Sequence, residues 1–337
     1  MSVNITDGIE SGKVVLKVLT TNTTSVTLLT DDKFKGKVIQ PGPTANRAVG
    51  EHGFSMSMEI KDGDLTRLFL LDTGSITQMI IENANQFGID LSTVEKLILS
   101  HGHFDHWGGL TKVMPLLKEG TEIILNPRVF DQNYAAVSTT GEEIPAEELG
   151  PNLKTLEREG KLKISRKLPP FNKNLISNLA EEQGVKIIEA NEPIKLFDGI
   201  ATSGEIELFD VDEVTKGLYI QKSRKEFEKH LFRDETAIYI NVKDKGLAVI
   251  TGCGHCGIMN TIKHGQKLTG IDKVYAAIGG FHEEWNPPEM VEQKVKYIES
   301  LNPEITCGMH CTGFEFNRIM ARHPSHTLGV VGTEFHL

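Results

Sequence analysis

Three histidines and one aspartate fall within His101–Gly102–His103–Phe104–Asp105–His106, directly after the apolar run Val94–Leu99. Imidazole and carboxylate donors together suit zinc, manganese or iron. In an extended turn leaving a strand, His101 and His103 point the same way and can grip one ion. Asp105 and His106 are then turned aside to meet a second ion nearby. A polar loop whose histidines merely cap a helix does not account for four ligand-type side chains at this density. Four cysteines form a second set: Cys253 and Cys256, then Cys307 and Cys311. Their spacing is that of a four-cysteine zinc site, although each pair also flanks a histidine, His255 and His310. His282 lies just past another strand end and can donate to a substrate.

The elements that must position these residues are legible as apolar runs between turn signals. Val94–Leu99 reads as the strand that delivers His101. Gly108–Gly109 lets the backbone pass close to the loop, and Leu110–Leu117 begins a helix. Before it, Val14–Leu19 and Ser25–Leu29 read as strands, Lys33–Arg47 as an irregular loop, and Met56–Ile60 with Arg67–Leu71 as a hairpin. Ile80–Phe87 has helical spacing with Gly88 as its stop. Thr121–Leu125, Val185–Ile188, Ile194–Phe197, Ile200–Thr202, Ala237–Val242, Leu247–Thr251, Val274–Ile278, Glu304–Cys307 and Val330–Phe335 read as further strands. A helix starting at Pro287–Pro288 runs to about Ser300. From about Asp131 to Lys186 charged residues and prolines (Pro145, Pro151, Pro169–Pro170) replace the strand pattern. With no separate core visible, 131–186 reads as a cap inserted into one domain spanning 1–337.

The 337 residues are 39% hydrophobic and 24% charged, ordinary for a soluble globular chain. A net charge of −10 without a compensating lysine or arginine run argues against nucleic acid as a partner. No apolar stretch approaches a membrane span, and the opening MSVNITDGIESG lacks a basic-then-apolar signal. The expectation is a cytoplasmic protein acting on a small molecule, without a disulfide in that reducing compartment.

The His101 stretch resembles the His-Xaa-His-Xaa-Asp-His signature of the metallo-β-lactamase superfamily. Glu51-His52-Gly53-Phe54-Ser55, Asp72-Thr73-Gly74, Ser203-Gly204-Glu205, Asp234-Glu235-Thr236, Gly252-Cys253-Gly254-His255, Gly280-Phe281-His282 and His310-Cys311-Thr312-Gly313 narrow the likeness. Together they resemble the branch that includes the archaeal dihydropterin synthase of methanopterin biosynthesis. The resemblance implies an α/β (α+β) chain folded as a four-layer αββα sandwich, with a metal site, often binuclear, at one edge of its two sheets. It implies Asp72 beneath that site, holding ligands in place, and His310 as a ligand of the second metal.

Two positions depart from the commonest pattern. Thr202–Ser203–Gly204–Glu205 stands where many relatives carry a histidine that completes the first metal's ligands. His255 is then the candidate for that role, with Glu205 as a metal or substrate contact, or simply an exposed turn residue. Cys253 stands where an aspartate often bridges the metals, and a thiolate is a competent substitute; a buried packing cysteine is the alternative. The implied metal set is His101, His103, Asp105, His106, Cys253, His255 and His310, binding one or two divalent ions. Zinc leads, with manganese, iron and magnesium as the other candidates. Asp105 and His282 are the implied catalytic groups, with His52, Glu205 and His282 as substrate contacts. The expected activity is hydrolysis of a small-molecule ester, amide or phosphoester by a metal-bound hydroxide. The alternatives are a metal-dependent transferase, joining a dihydropterin diphosphate to an aminobenzene ribofuranosyl phosphate, and a metal-binding sensor without turnover.

Overall fold

Along Val14–Thr20, Ser55–Asp62 and Leu65–Leu71, side chains alternate between two environments, as a pleated strand requires. In the third of these strands Phe69 and Leu71 face one core while Leu68 and Leu70 face another. A strand buried on both faces reads as a continuous apolar run, the pattern expected of a sheet covered on each side. The structure, a computed structural model, describes residues 3–75 and 77–337. The first two residues of the opening stretch read for a targeting signal lie outside them.

The described residues form three sheets. The first has eight strands in the order Val38–Ile39, Glu334–His336, Val14–Thr20, Ser55–Asp62, Leu65–Leu71, Val94–Ile98, Glu122–Leu125 and Lys186–Glu189. The second has six, ordered Lys195–Phe197, Ile200–Thr202, Ile238–Val242, Gly246–Thr251, Val274–Gly280 and Ile305–Met309. Their inner faces share one core, in which Leu16, Met58, Phe69 and Ile98 meet Ile200, Ile240, Ile250 and Ile278. Helices cover both outer faces. Met79–Gln86 and Lys173–Gln183 pack on the first sheet; Ile258–Thr269, Pro288–Leu301 and Gly313–Met320 pack on the second. This is the expected αββα sandwich.

The strands that matter for the site run parallel. Leu65–Leu71, Val94–Ile98 and Glu122–Leu125 are parallel neighbours in the first sheet, as are Gly246–Thr251, Val274–Gly280 and Ile305–Met309 in the second. Parallel strands bring their carboxyl ends to one edge, and the loops leaving those ends converge there.

The third sheet has four strands, Phe227–Lys229, Leu218–Gln221, Asn133–Ser138 and Leu162–Lys167, with the helix Ala146–Arg158 against it. Tyr134, Ala136, Leu149, Tyr219 and Phe227 make a small core of their own, contrary to the reading that none is present. The sheet also reaches beyond 131–186 by recruiting 218–229. Conversely, Lys173–Gln183 and Lys186–Glu189 belong to the main layers, because Ile176 and Ala180 bury against the first sheet.

Other local expectations shift for physical reasons. Ser25–Leu29 forms no strand: Ser25 Oγ accepts from the Leu28 amide at 3.1 Å, and Leu29 is exposed. Such side-chain bonds compete with a ladder. Leu110–Leu117 is α-helical only over Leu110–Val113, then tightens into a 3-10 turn at Met114–Leu116, where Pro115 has no amide to donate. The last strand shortens to Glu334–His336 because Val330–Thr333 closes a turn. No helix among the described residues is long and apolar enough to cross a membrane.

Candidate metal centre

Each candidate ligand leaves the carboxyl end of a parallel strand. Asp72 follows Leu65–Leu71, His101 and His103 follow Val94–Ile98, and Cys253 and His255 follow Gly246–Thr251. His282 follows Val274–Gly280, and His310 follows Ile305–Met309. Asp72, His282 and His310 take left-handed backbone conformations, with φ of 59°, 47° and 55°. Non-glycine residues avoid that region unless their surroundings impose it, and such strain concentrates at functional sites. Gly252 is required by proximity, since a Cβ there would collide with Ser100 Oγ.

The buried donors fall into two neighbouring triads. His101, His103 and His255 each bring one ligand atom within 4.8 Å of the others, and so do Asp105, His106 and His310. The Nε2 atoms of His101, His103 and His255 are all buried without a hydrogen-bond partner among the described residues. Three such nitrogens in one place are a costly arrangement for a folded protein unless a ligand occupies them. In the second triad, His310 Nε2 lies 3.3 Å from Asp105 Oδ2 and 3.2 Å from His106 Nε2. Cys253 is grouped with His101 and His106 on one side and with His310 and Cys311 on the other, so it stands between the two triads.

The surroundings set tautomer and charge. Asp72 Oδ2 lies 2.6 Å from His106 Nδ1 and accepts from Ser100 Oγ at 2.7 Å; Asp72 Oδ1 accepts from the Ser100 amide. Ser100 Oγ in turn lies 2.9 Å from His101 Nδ1. One carboxylate therefore orients a histidine of each triad and leaves its Nε2 facing inward. Asn22 does the same for His310, with Oδ1 3.2 Å from Nδ1. Burial keeps His101 and His255 well below the usual imidazole range and His103 down to about 4. All three are thus neutral, the form that ligates. Burial also opposes charge on His106, but Asp72 and Asp105 outweigh it and raise its pKa. Burial and the adjoining Cys311 push the Cys253 thiol up.

His52 Nε2 sits 3.3 Å from Asp105 Oδ2 at the rim. His52, Asp105, His255 and His282 line a cavity of about 190 Å³ beside the triads, which Ala135, Ile164, Arg166 and Leu218 close from the third sheet. His282 also lines an adjoining cavity of about 650 Å³ under that sheet, with Thr215, Lys163 and Trp285.

Glu205 is a correction. It lines neither cavity and lies in a separate one with Ser203, Arg233 and His264, paired to Arg233 at 3.5 Å. The structure therefore does not bring Glu205 to the cavities beside the triads. The four-cysteine site does not assemble either. Cys256 bonds the Phe232 carbonyl and Cys307 is buried within the sheet core, and neither joins a donor group among the described residues.

Sequence reading named Cys311 but not its place beside Cys253, whose Sγ lies 3.2 Å away, and it missed the orienting roles of Asn22, Ser100, Thr215 and Glu235. Glu235 accepts from the His255 and Cys256 amides, fixing the turn that carries His255. Its signal was present in Asp234-Glu235-Thr236; a lone threonine or asparagine carries none.

Residues 52–137 match the model of the metallo-β-lactamase superfamily. Over 272 residues, 79% of this chain and 82% of its relative, the sequence is 31% identical to the 7,8-dihydropterin-6-methyl-4-(β-D-ribofuranosyl)-aminobenzene-5'-phosphate synthase of Methanocaldococcus jannaschii. An uncharacterised protein of the same organism is 25% identical over 296 residues, 88% of this chain and 97% of that protein. Among solved structures, a metal-dependent hydrolase of the β-lactamase superfamily superposes with a TM-score of 0.68 at 22% identity, covering 96% of this chain and 99% of that one. With the sandwich, the motif order and the converging ligands, these likenesses establish that the chain belongs to the metallo-β-lactamase superfamily.

Proposed function

We propose that this protein is a metal-dependent hydrolase of a small-molecule ester, amide or phosphoester. The observation that carries the reading is the trio of buried, unpartnered Nε2 atoms on His101, His103 and His255. Three neutral imidazoles are the donor set a catalytic zinc takes while keeping a place for water or substrate. Asp105, His106 and His310, with Cys253 between the triads, would hold a second ion. Zinc fits this donor set best, with manganese, iron or magnesium as the alternatives. Divalent ions bound there supply Lewis acidity and activate water as a nucleophile.

The chain's own residues do the rest. Asp72 keeps His106 and, through Ser100, His101 in their ligating orientation. Asp105 adjoins both His52 and His310; despite its burial, His106 and His310 hold its carboxyl well below the usual carboxylate range, so it stays an anionic ligand beside the cavity. His282 meets the substrate, and the third sheet serves as the cap that excludes bulk water. A small molecule is the partner proposed, with a cytoplasmic setting.

A second reading is favoured by the likeness to the synthase: condensation of a dihydropterin diphosphate with an aminobenzene ribofuranosyl phosphate, with diphosphate as the leaving group. Metal analysis of the purified protein, followed by turnover of p-nitrophenyl esters and phosphodiesters, tests the first reading. Hydrolysis that depends on restored metal supports it. Metal binding without hydrolysis, together with pterin binding, points to the transferase, and inertness in both screens leaves a sensor.

A further inference from the structure

Thr215 occupies the connection between the 3-10 turn Val211–Glu213 and the strand Leu218–Gln221, and it is buried. Its amide donates to the His255 carbonyl at 2.9 Å. Its hydroxyl lies 3.1 Å from His255 Nδ1 and 3.2 Å from His282 Nδ1. One oxygen thus touches both rings on the same ring position. A hydroxyl has one proton to give and can accept others, so the two contacts cannot both be donations.

We propose that Thr215 is a positioning residue that locks His282 in its Nε2–H tautomer, so that His282 offers a hydrogen-bond donor to an oxyanion of the substrate. The inference rests on the reading of His255 as a metal ligand. A ligating Nε2 carries no proton, so the His255 proton sits on Nδ1 and is donated to Thr215 Oγ1. The Thr215 hydroxyl proton then has His282 Nδ1 as its acceptor. With Nδ1 accepting, the neutral His282 ring carries its proton on Nε2. His282 Nε2 makes no hydrogen bond among the described residues, and the ring lines both the cavity beside the triads and the larger one under the third sheet. A group passing from the larger cavity to the triads meets an N–H donor. The position selects a phosphoryl or carboxylate oxygen and rejects a donor such as an amide N–H.

The test uses ¹⁵N-histidine-labelled full-length protein saturated with zinc, with His282 assigned by its loss in His282→Gln. Long-range ¹H–¹⁵N spectra report which nitrogen of each ring carries the proton, and titration with inorganic phosphate reports binding. The expected result is an Nε2–H tautomer for His282 in the wild type and in Thr215→Ser. Thr215→Val and Thr215→Ala should lose that preference and bind phosphate about tenfold more weakly, the loss of one hydrogen bond to a charged group. An Nδ1–H tautomer on His282 while the His255 Nε2 resonance responds to zinc overturns the proposal and leaves the metal reading standing. A His255 Nε2 that ignores zinc overturns the metal reading, and this proposal with it. Unchanged tautomer and phosphate affinity in both hydroxyl-deleted variants also overturn it.

Discussion

A buried imidazole nitrogen without a hydrogen-bond partner destabilises a fold unless a ligand meets it, and His255 Nε2 is such an atom. Glu205, by contrast, already has Arg233 and solvent. His255→Ala is therefore expected to lower zinc affinity by more than the ~10–100-fold typical of residues that only orient a ligand, and to abolish turnover. Glu205→Gln should retain its metal. Isothermal titration and elemental analysis of the two variants read this directly, and the reverse pattern would exchange their roles. The cysteines divide in the same way. Cys256 and Cys307 lie outside every donor group among the described residues, so Cys256→Ser and Cys307→Ser should leave metal stoichiometry unchanged. Loss of one equivalent of zinc from both would instead establish a four-cysteine site.

At the scale of elements, the loop carrying His282 is held from beneath by an ion pair. Glu283 accepts from Lys294 Nζ at 2.7 Å and from Asn286 Nδ2 at 2.8 Å, and both charged side chains are almost wholly buried. Lys294 comes from the helix Pro288–Leu301, so the pair ties the loop at one strand end to the outer helical layer. Removing one partner strands the other as an uncompensated buried charge, whereas removing both does not. Lys294→Met is expected to cost on the order of 3–5 kcal/mol in urea unfolding, and adding Glu283→Gln should recover much of that loss. An additive double mutant would show that the pair does not couple loop and helix.

For the whole molecule, gathering neutral histidines into one buried edge makes stability depend on pH. The unfolded His103 titrates near 6.5, and in the fold burial lowers it to about 4. Between those values the unfolded chain binds the extra proton, so stability is fully present above about 6.5 and is lost as pH falls towards 4. His101, His255 and His282 shift in the same direction. Metal-free protein should therefore lose melting temperature steeply from pH 6.5 to 4, with His103→Gln flattening the slope by a contribution on the order of 1–3 kcal/mol. Adding zinc at pH 7 should raise the melting temperature, because an ion that binds only the folded chain stabilises it by mass action. A flat profile in the metal-free protein would show that these rings are hydrated rather than buried.

Short-range pattern determined much of this. The His101–His106 stretch, the Asp72 turn and the apolar runs of the central strands act over a few residues, where spacing alone implies geometry. The central strands were legible for the same reason, since strands buried on both faces announce themselves as unbroken apolar runs, whereas their layering into a sandwich was implied by the resemblance of the motifs. His255 was already preferred to Glu205 in the sequence, for its imidazole at a strand end; that its ring lies with His101 and His103 while Glu205 pairs with Arg233 is decided by the meeting of strand ends from two sheets. The contact of Cys253 with Cys311 joins residues 58 positions apart, and Asn22 touches His310 from 288 positions away. No local pattern encodes such pairings. The third sheet escaped for a different reason: its strands Leu162–Lys167 and Phe227–Lys229 are partly exposed and charged, so the burial that makes other strands readable is missing from their sequence. Thr215 is the extreme case, a single hydroxyl whose significance comes wholly from the two rings that tertiary packing brings to it.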